Sequence, residues 1–141
     1  FVLADSRERI GLFRNVCVKP NMDEALNAMT RDRHLKLIEV RGLRANVWAP
    51  AVFCTWGPNG IALATATEPE VPVIPAYPVA GPTDVCGAGD SCAAGIAAAV
   101  VAGASFPEAA AFGNLVASVT VQQIGTTGTA TPDQVRHRWQ E

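Results

Sequence analysis

Asp84-Val85-Cys86-Gly87-Ala88-Gly89-Asp90, running directly into the apolar stretch Ser91 to Ala104, decides how this chain is read. Two glycines let the backbone turn tightly and approach a ligand with no Cβ in the way. The Ala-rich run after them predicts a helix. The loop therefore ends at a helix N-terminus, whose unpaired N–H groups and dipole favour an anion. Asp90 adds a carboxylate at that spot. A site that only held phosphate would not place a negative charge beside it. One that must take a proton from a hydroxyl attacking a phosphate would. Taken alone, Asp90 is also a first-turn acid, worth about 0.3–1 kcal/mol to its helix.

On both sides of this loop, strand-like and helix-like segments alternate. Phe1 to Asp5 and Asn15 to Val18 read as short buried parallel strands. Helices are expected from Asn21 to about Thr30 and from about Arg33 to Ala45. Ala51 to Thr55 is the next strand, turned by Gly57-Pro58-Asn59-Gly60 into Ile61 to Ala66. The prolines between Glu68 and Pro82 suit an extended edge strand or loop. Further helices are expected at about Asp90 to Ala102 and Pro107 to Gln123. Capping-box patterns at Ser105-Phe106-Pro107-Glu108 and Thr131-Pro132-Asp133-Gln134 mark two helix starts, the second opening a last short helix. The alternation implies an α/β layered domain.

At 141 residues the chain can bury a real core as one domain. With 49% apolar and 17% charged residues it is globular rather than disordered. A net charge of −2 leaves no basic stripe for nucleic acid. Cys92 to Ala104 is apolar but too short to span a bilayer, so no membrane partner is expected. Cys17, Cys54, Cys86 and Cys92 lack Cys-x-x-Cys spacing and sit in apolar surroundings, which predicts reduced, buried thiols in a cytoplasmic protein. No signal peptide is visible. His34 and His137 are expected on the surface. Trp48, Trp56 and Trp139 are expected to serve in packing, with Trp56 shielding one side of the Thr55–Gly60 turn. Asn21-x-x-Glu24 reads locally as a helix cap with a carboxylate in the first turn.

The Asp84 to Asp90 segment resembles the C-terminal signature of the ribokinase-like (PfkB) carbohydrate kinases, a pattern close to Asp-Thr-x-Gly-Ala-Gly-Asp. The likeness extends along most of the chain. Asp5-Ser6-Arg7, after the apolar Phe1 to Ala4, looks like that family's strand-end Asp-x-Arg. Lys19-Pro20-Asn21-Met22-Asp23-Glu24 is similar to its Pro-Asn-x-x-Glu segment, and Thr55-Trp56-Gly57-Pro58-Asn59-Gly60 to its Thr-x-Gly-x-x-Gly loop. Asn114 and Ile124-Gly125-Thr126 also fall where the family contacts nucleotide. Cys86 and Cys92 depart from it, standing where a hydroxyl residue and often an aromatic are usual.

The resemblance implies a ribokinase-like layered fold with a mostly parallel central sheet flanked by helices. Residues 1–141 would be its C-terminal, nucleotide-binding and catalytic-base part, since nothing here resembles the half that supplies most of the sugar pocket. It implies transfer of the γ-phosphoryl of ATP to a hydroxyl of a sugar or sugar phosphate. Asp90 would be the general base, and the N–H groups of Gly87, Ala88 and Gly89 the anion hole. Asn21, Thr55, Gly57, Gly60, Gly89 and Asn114 would line the nucleotide, and Glu24 would act through water on Mg2+. Asp84, the Cys86 carbonyl and Thr120, Gln123, Gly125 and Thr129 sit where many members hold a monovalent cation such as K+. Oligomeric state stays open, a homo-oligomer included.

Two other functions compete. Gly87-x-Gly89 imitates a dinucleotide fingerprint, but Cys92 stands at the third glycine position and Asp90 would repel a pyrophosphate. A non-catalytic nucleotide-binding or interaction fragment, lacking the sugar half, is the other alternative. No Gly-x-x-x-x-Gly-Lys pattern is present, which excludes a P-loop NTPase.

Overall fold

The computed structural model describes residues 1–29 and 37–141. The chain divides into two compact units, Phe1–Ile74 and Pro75–Glu141. The first holds a five-stranded sheet in the order β1 (Leu3–Ala4), β2 (Cys17–Val18), β3 (Ala51–Thr55), β4 (Ile61–Thr65) and β5 (Val73–Ile74). The first three strands run parallel and the last two antiparallel. Val18 pairs with Val52, and the β3–β4 hairpin runs from Ala51 opposite Thr65 to Thr55 opposite Ile61. Four of the five residues in both β3 and β4 are buried. This is why both strands read as continuous apolar runs and not as alternating ones.

Helices α1 (Met22–Met29) and α2 (Leu37–Val47) cover one face of the sheet. Ala25, Val40, Leu43 and Val47 pack there against Val18, Val52, Cys54, Ala62 and Ala64, all fully or almost fully buried. Each such Val or Leu contributes about 1.5–3 kcal/mol of burial. The expected end of α1 at Thr30 and the expected start of α2 at Arg33, like His34, lie outside the described residues. Helix α2 continues two residues past Ala45 and stops where Trp48 turns left-handed at φ 52°.

The second unit is built on α3 (Ala88–Val101), α4 (Phe106–Thr120) and α5 (Pro132–Trp139). Both capping boxes form. The Ser105 N–H donates to Glu108 Oε2 at 2.8 Å, and the Thr131 N–H donates to Gln134 Oε1 at 2.8 Å. Helices α3 and α4 touch at Gly113, where a Cβ would lie 2.7 Å from Ile96 Cγ1 and 3.1 Å from the Cys92 carbonyl. Arg138 anchors α5: its Nε donates to Ser118 Oγ at 3.2 Å, its Nη2 bonds the Pro78 carbonyl, and its guanidinium lies 5.9 Å from the Tyr77 ring centre.

Four packing expectations are corrected. Trp48 and Trp139 are 66% and 67% exposed, and Trp56 is 36% exposed. Trp48 follows the left-handed end of its helix and Trp139 is the last residue of α5, so both leave the packed faces. Cys86 is exposed, because it lies in the loop before α3, whereas Cys17, Cys54 and Cys92 are buried. His137 is on the surface as expected.

Candidate active site

In the first unit, the site residues gather at the C-terminal ends of the parallel strands, where α/β sheets bind ligands. Asn21 forms a parallel bridge with Thr55, and the Thr55 N–H donates to the Pro20 carbonyl at 2.9 Å, which sets α1 beside the end of β3. Gly57 (φ 51°) and Gly60 (φ 102°) carry the turn into β4, closed by the Trp56 N–H donating to the Gly60 carbonyl at 2.7 Å. Asn21, Met22, Asp23, Thr55, Trp56, Gly57, Pro58 and Asn59 line an open cleft of about 460 Å³. Three of the residues expected to line a nucleotide, Asn21, Thr55 and Gly57, thus share one cleft, and Gly60 ends the same turn.

Asn21 and Glu24 form a reciprocal cap. The Asn21 N–H donates to Glu24 Oε2 and the Glu24 N–H to Asn21 Oδ1, both at 2.8 Å. This local bonding occupies one carboxylate oxygen of Glu24 and leaves Oε1 outside the cap. A carboxylate oxygen is the donor type a hard cation such as Mg2+ takes, and Glu24 offers one at the start of α1; among the described residues no group of three or more metal-ligating side chains gathers.

Sequence reading missed an ion pair here. Lys19 is only 3% exposed, and its Nζ lies 2.8 Å from Asp5 Oδ2. The two residues directly follow β2 and β1, and the Lys19 N–H donates to the Ala4 carbonyl at 2.9 Å. The available signal was a charged residue ending each of two apolar strands. Behind this pair, burial pushes the Cys54 thiol up to about 12, helped by the nearby Glu24 charge and opposed by Lys19.

In the second unit, Gly87 caps α3 in the left-handed conformation at φ 79°, and a Cβ there would lie 2.9 Å from Thr127 Cγ2. A residue with a side chain would meet both penalties, so glycine is required. The cap has no side-chain bond, so the first turn of α3 keeps its N-terminal amides for another acceptor. The exception is Ala88, whose N–H donates to the Val85 carbonyl at 3.1 Å. Asp90 sits in this first turn and is exposed.

Asp84 ties the loop down. Its Oδ1 accepts the Cys86 N–H and its Oδ2 the Gly125 N–H, each at 2.9 Å. Those two bonds hold its carboxyl below the usual aspartate range. Asn114 is 8% exposed and donates through Nδ2 to the Pro75 carbonyl at 2.9 Å, fixing the start of this unit.

The oxygens attributed to a monovalent cation are largely engaged by N–H donors. Both Asp84 oxygens are taken, as just described. The Thr129 carbonyl accepts Gln123 Nε2 at 2.5 Å, and the Thr120 carbonyl accepts the Gln123 N–H at 3.0 Å. The Thr120 side chain turns back on its own helix, to the Val116 carbonyl at 3.3 Å. Each of these carboxylate and carbonyl oxygens accepts one N–H and keeps a further lone pair, the donor type a monovalent cation takes.

Among curated proteins, none matches the chain. Phosphofructokinase-2 from Escherichia coli, in complex with potassium, is similar over 98% of this chain and 46% of its own, at 20% identity and a TM-score of 0.83. Ribokinase from Thermotoga maritima is similar over 100% of this chain and 49% of its own, at 20% identity and a TM-score of 0.81. Arabidopsis thaliana ribokinase, complexed with ribose and ATP, is similar over 99% and 47%, at 23% identity and a TM-score of 0.79. The chain thus spans about half the length of the solved structures it matches, and its fold is the ribokinase-like α/β fold. The model of the pfkB family carbohydrate kinases matches residues 16–134, so the chain belongs to that family.

Proposed function

We propose that residues 1–141 form the C-terminal, nucleotide-binding and catalytic-base part of an ATP-dependent kinase that phosphorylates a hydroxyl of a sugar or sugar phosphate. The observation that carries this reading is the exposed Asp90 in the first turn of α3, directly after the left-handed Gly87. Asp90 accepts the proton of the attacking hydroxyl, and the amides of Gly87 and Gly89 receive charge that develops on the migrating phosphoryl. Asn21, Thr55, Gly57 and Gly60 bind the phosphates of the nucleotide, and the Asn114 amide, bonded to Pro75, supports the nucleotide side of the second unit. Glu24 would hold Mg2+ by way of water. When bound, that ion neutralises charge on the phosphate oxygens. Four cysteines without a disulfide suit a reducing compartment such as the cytoplasm. Among the described residues no helix is long and apolar enough to cross a membrane.

The test is Asp90→Asn in the full-length protein. Phosphoryl transfer is expected to fall by about 10²–10⁴-fold, with ATP affinity nearly unchanged. Turnover retained in that variant would overturn the proposal. Wild-type protein that binds ATP without any transfer would favour the non-catalytic reading.

A further inference from the structure

Gly87 has no Cβ to keep it left-handed, and its cap on α3 has no side-chain bond. Glycine takes φ of either sign about as readily, so φ 79° here depends on what surrounds the residue. On the helix side its carbonyl accepts the Ser91 N–H at 2.9 Å. On the other side the loop meets the segment Gly125 to Gly128 at three points. The Gly125 N–H donates to Asp84 Oδ2 at 2.9 Å, at the entry of the loop. Thr127 Oγ1 lies 3.6 Å from Cys86 Sγ. Thr127 also covers the glycine itself: a Cβ at Gly87 would lie 2.9 Å from Thr127 Cγ2 and 3.2 Å from the Gly128 carbonyl oxygen. A methyl group and a carbonyl from this segment thus close the space where any other residue carries its first side-chain atom.

We propose that Thr127 is a positioning residue for the glycine loop: its methyl, seated against Gly87, keeps that glycine left-handed and so fixes where the loop amides point relative to Asp90. Rotation about the Gly87 N–Cα bond turns the peptide that carries the Gly87 N–H against the first turn of α3, which carries Gly89 and Asp90. With the methyl in place that rotation runs into Thr127; without it, nothing on that face but the Gly128 backbone restrains the glycine. The methyl carries this role and the hydroxyl does not, because the hydroxyl meets only the exposed Cys86 thiol, a weak hydrogen-bonding group. Thr127 touches no reacting atom and acts through Gly87. The inference rests on the phosphotransfer reading for its rate measurement alone.

The test compares full-length wild type with Thr127→Ser, Thr127→Ala and Thr127→Val. Ser keeps the hydroxyl and loses the methyl, whereas Val keeps the methyl and loses the hydroxyl. Ser and Ala are expected to lower kcat by roughly 10–100-fold, the scale of a misplacement of about 1 Å, with KM for ATP changed by less than about twofold. Val is expected to restore most of the rate. Hydrogen exchange without nucleotide follows the loop directly, through the bonded amides of Cys86, Ala88 and Ser91. Ser and Ala should lose protection there and keep it in β3 and β4, and Val should keep it throughout. A purely structural Thr127 would lower the melting temperature without separating kcat from KM. Thr127→Ser matching wild type in both measurements, or Thr127→Val as impaired as Thr127→Ala, would overturn the inference. Absence of transfer by wild type would remove the kinase reading and leave the exchange result to decide this one.

Discussion

Asn21 and Glu24 hold one another across the first turn of α1, each backbone N–H donating to the other's side chain at 2.8 Å. The cap uses Oε2 of Glu24 and leaves Oε1 outside it. A residue pair that looks merely structural can therefore also serve chemistry, and the two roles separate by substitution.

Asn21→Ala removes one half of the cap and should cost about 1 kcal/mol in urea unfolding. Glu24→Gln keeps an acceptor for the Asn21 N–H, so stability should change by less than about 0.5 kcal/mol. The lost charge should instead raise the Mg2+ concentration for half-maximal transfer by roughly 10–100-fold, as for other groups acting on a metal through an outer shell. Parallel unfolding curves and Mg2+ titrations of the two variants check this.

Acid stability should depend on Asp84 and Glu108. Backbone bonds from Cys86 and Gly125 lower the first carboxyl, and the Ser105 hydroxyl and N–H lower the second. A carboxyl lowered in the folded state stabilises it fully above the unfolded value, and that contribution fades as pH falls through the folded value. Stability should therefore decline from about pH 4 downward. Asp84→Asn with Glu108→Gln should be less stable than wild type at neutral pH and show a shallower decline. Melting curves between pH 7 and pH 3 would reveal an unchanged slope if the assignment were mistaken.

The Lys19–Asp5 pair should respond asymmetrically. Lys19 is buried while Asp5 is partly in water. Asp5→Ala strands a buried ammonium and should cost about 3 kcal/mol, the low end for a broken buried pair because Asp5 is partly solvated. Lys19→Met fills the same space without charge and leaves Asp5 to water, so its cost should stay within about 1 kcal/mol. Urea midpoints at constant slope measure both.

What could be read ahead of the structure follows contact range. The caps at Ser105 and Thr131 form as their four-residue patterns predict, and β3 begins and ends where its apolar run does. Failures came where exposure depends on remote packing. Cys86 sits in an apolar-looking stretch but is left outside by the loop, and three tryptophans expected inside are partly or largely exposed.

The order of strands and helices, the left-handed glycine before α3 and the position of Asp90 in its first turn were settled by residues adjacent in the chain, because steric and hydrogen-bonding preferences of neighbours act without long-range help. The bonds from Asp84 to Gly125 and from Lys19 to Asp5 were decided only by the tertiary structure. Their partners are brought together by chain reversal, and at that distance many pairings compete for each polar group. For the buried Lys19, packing selects the pairing that leaves its ammonium satisfied.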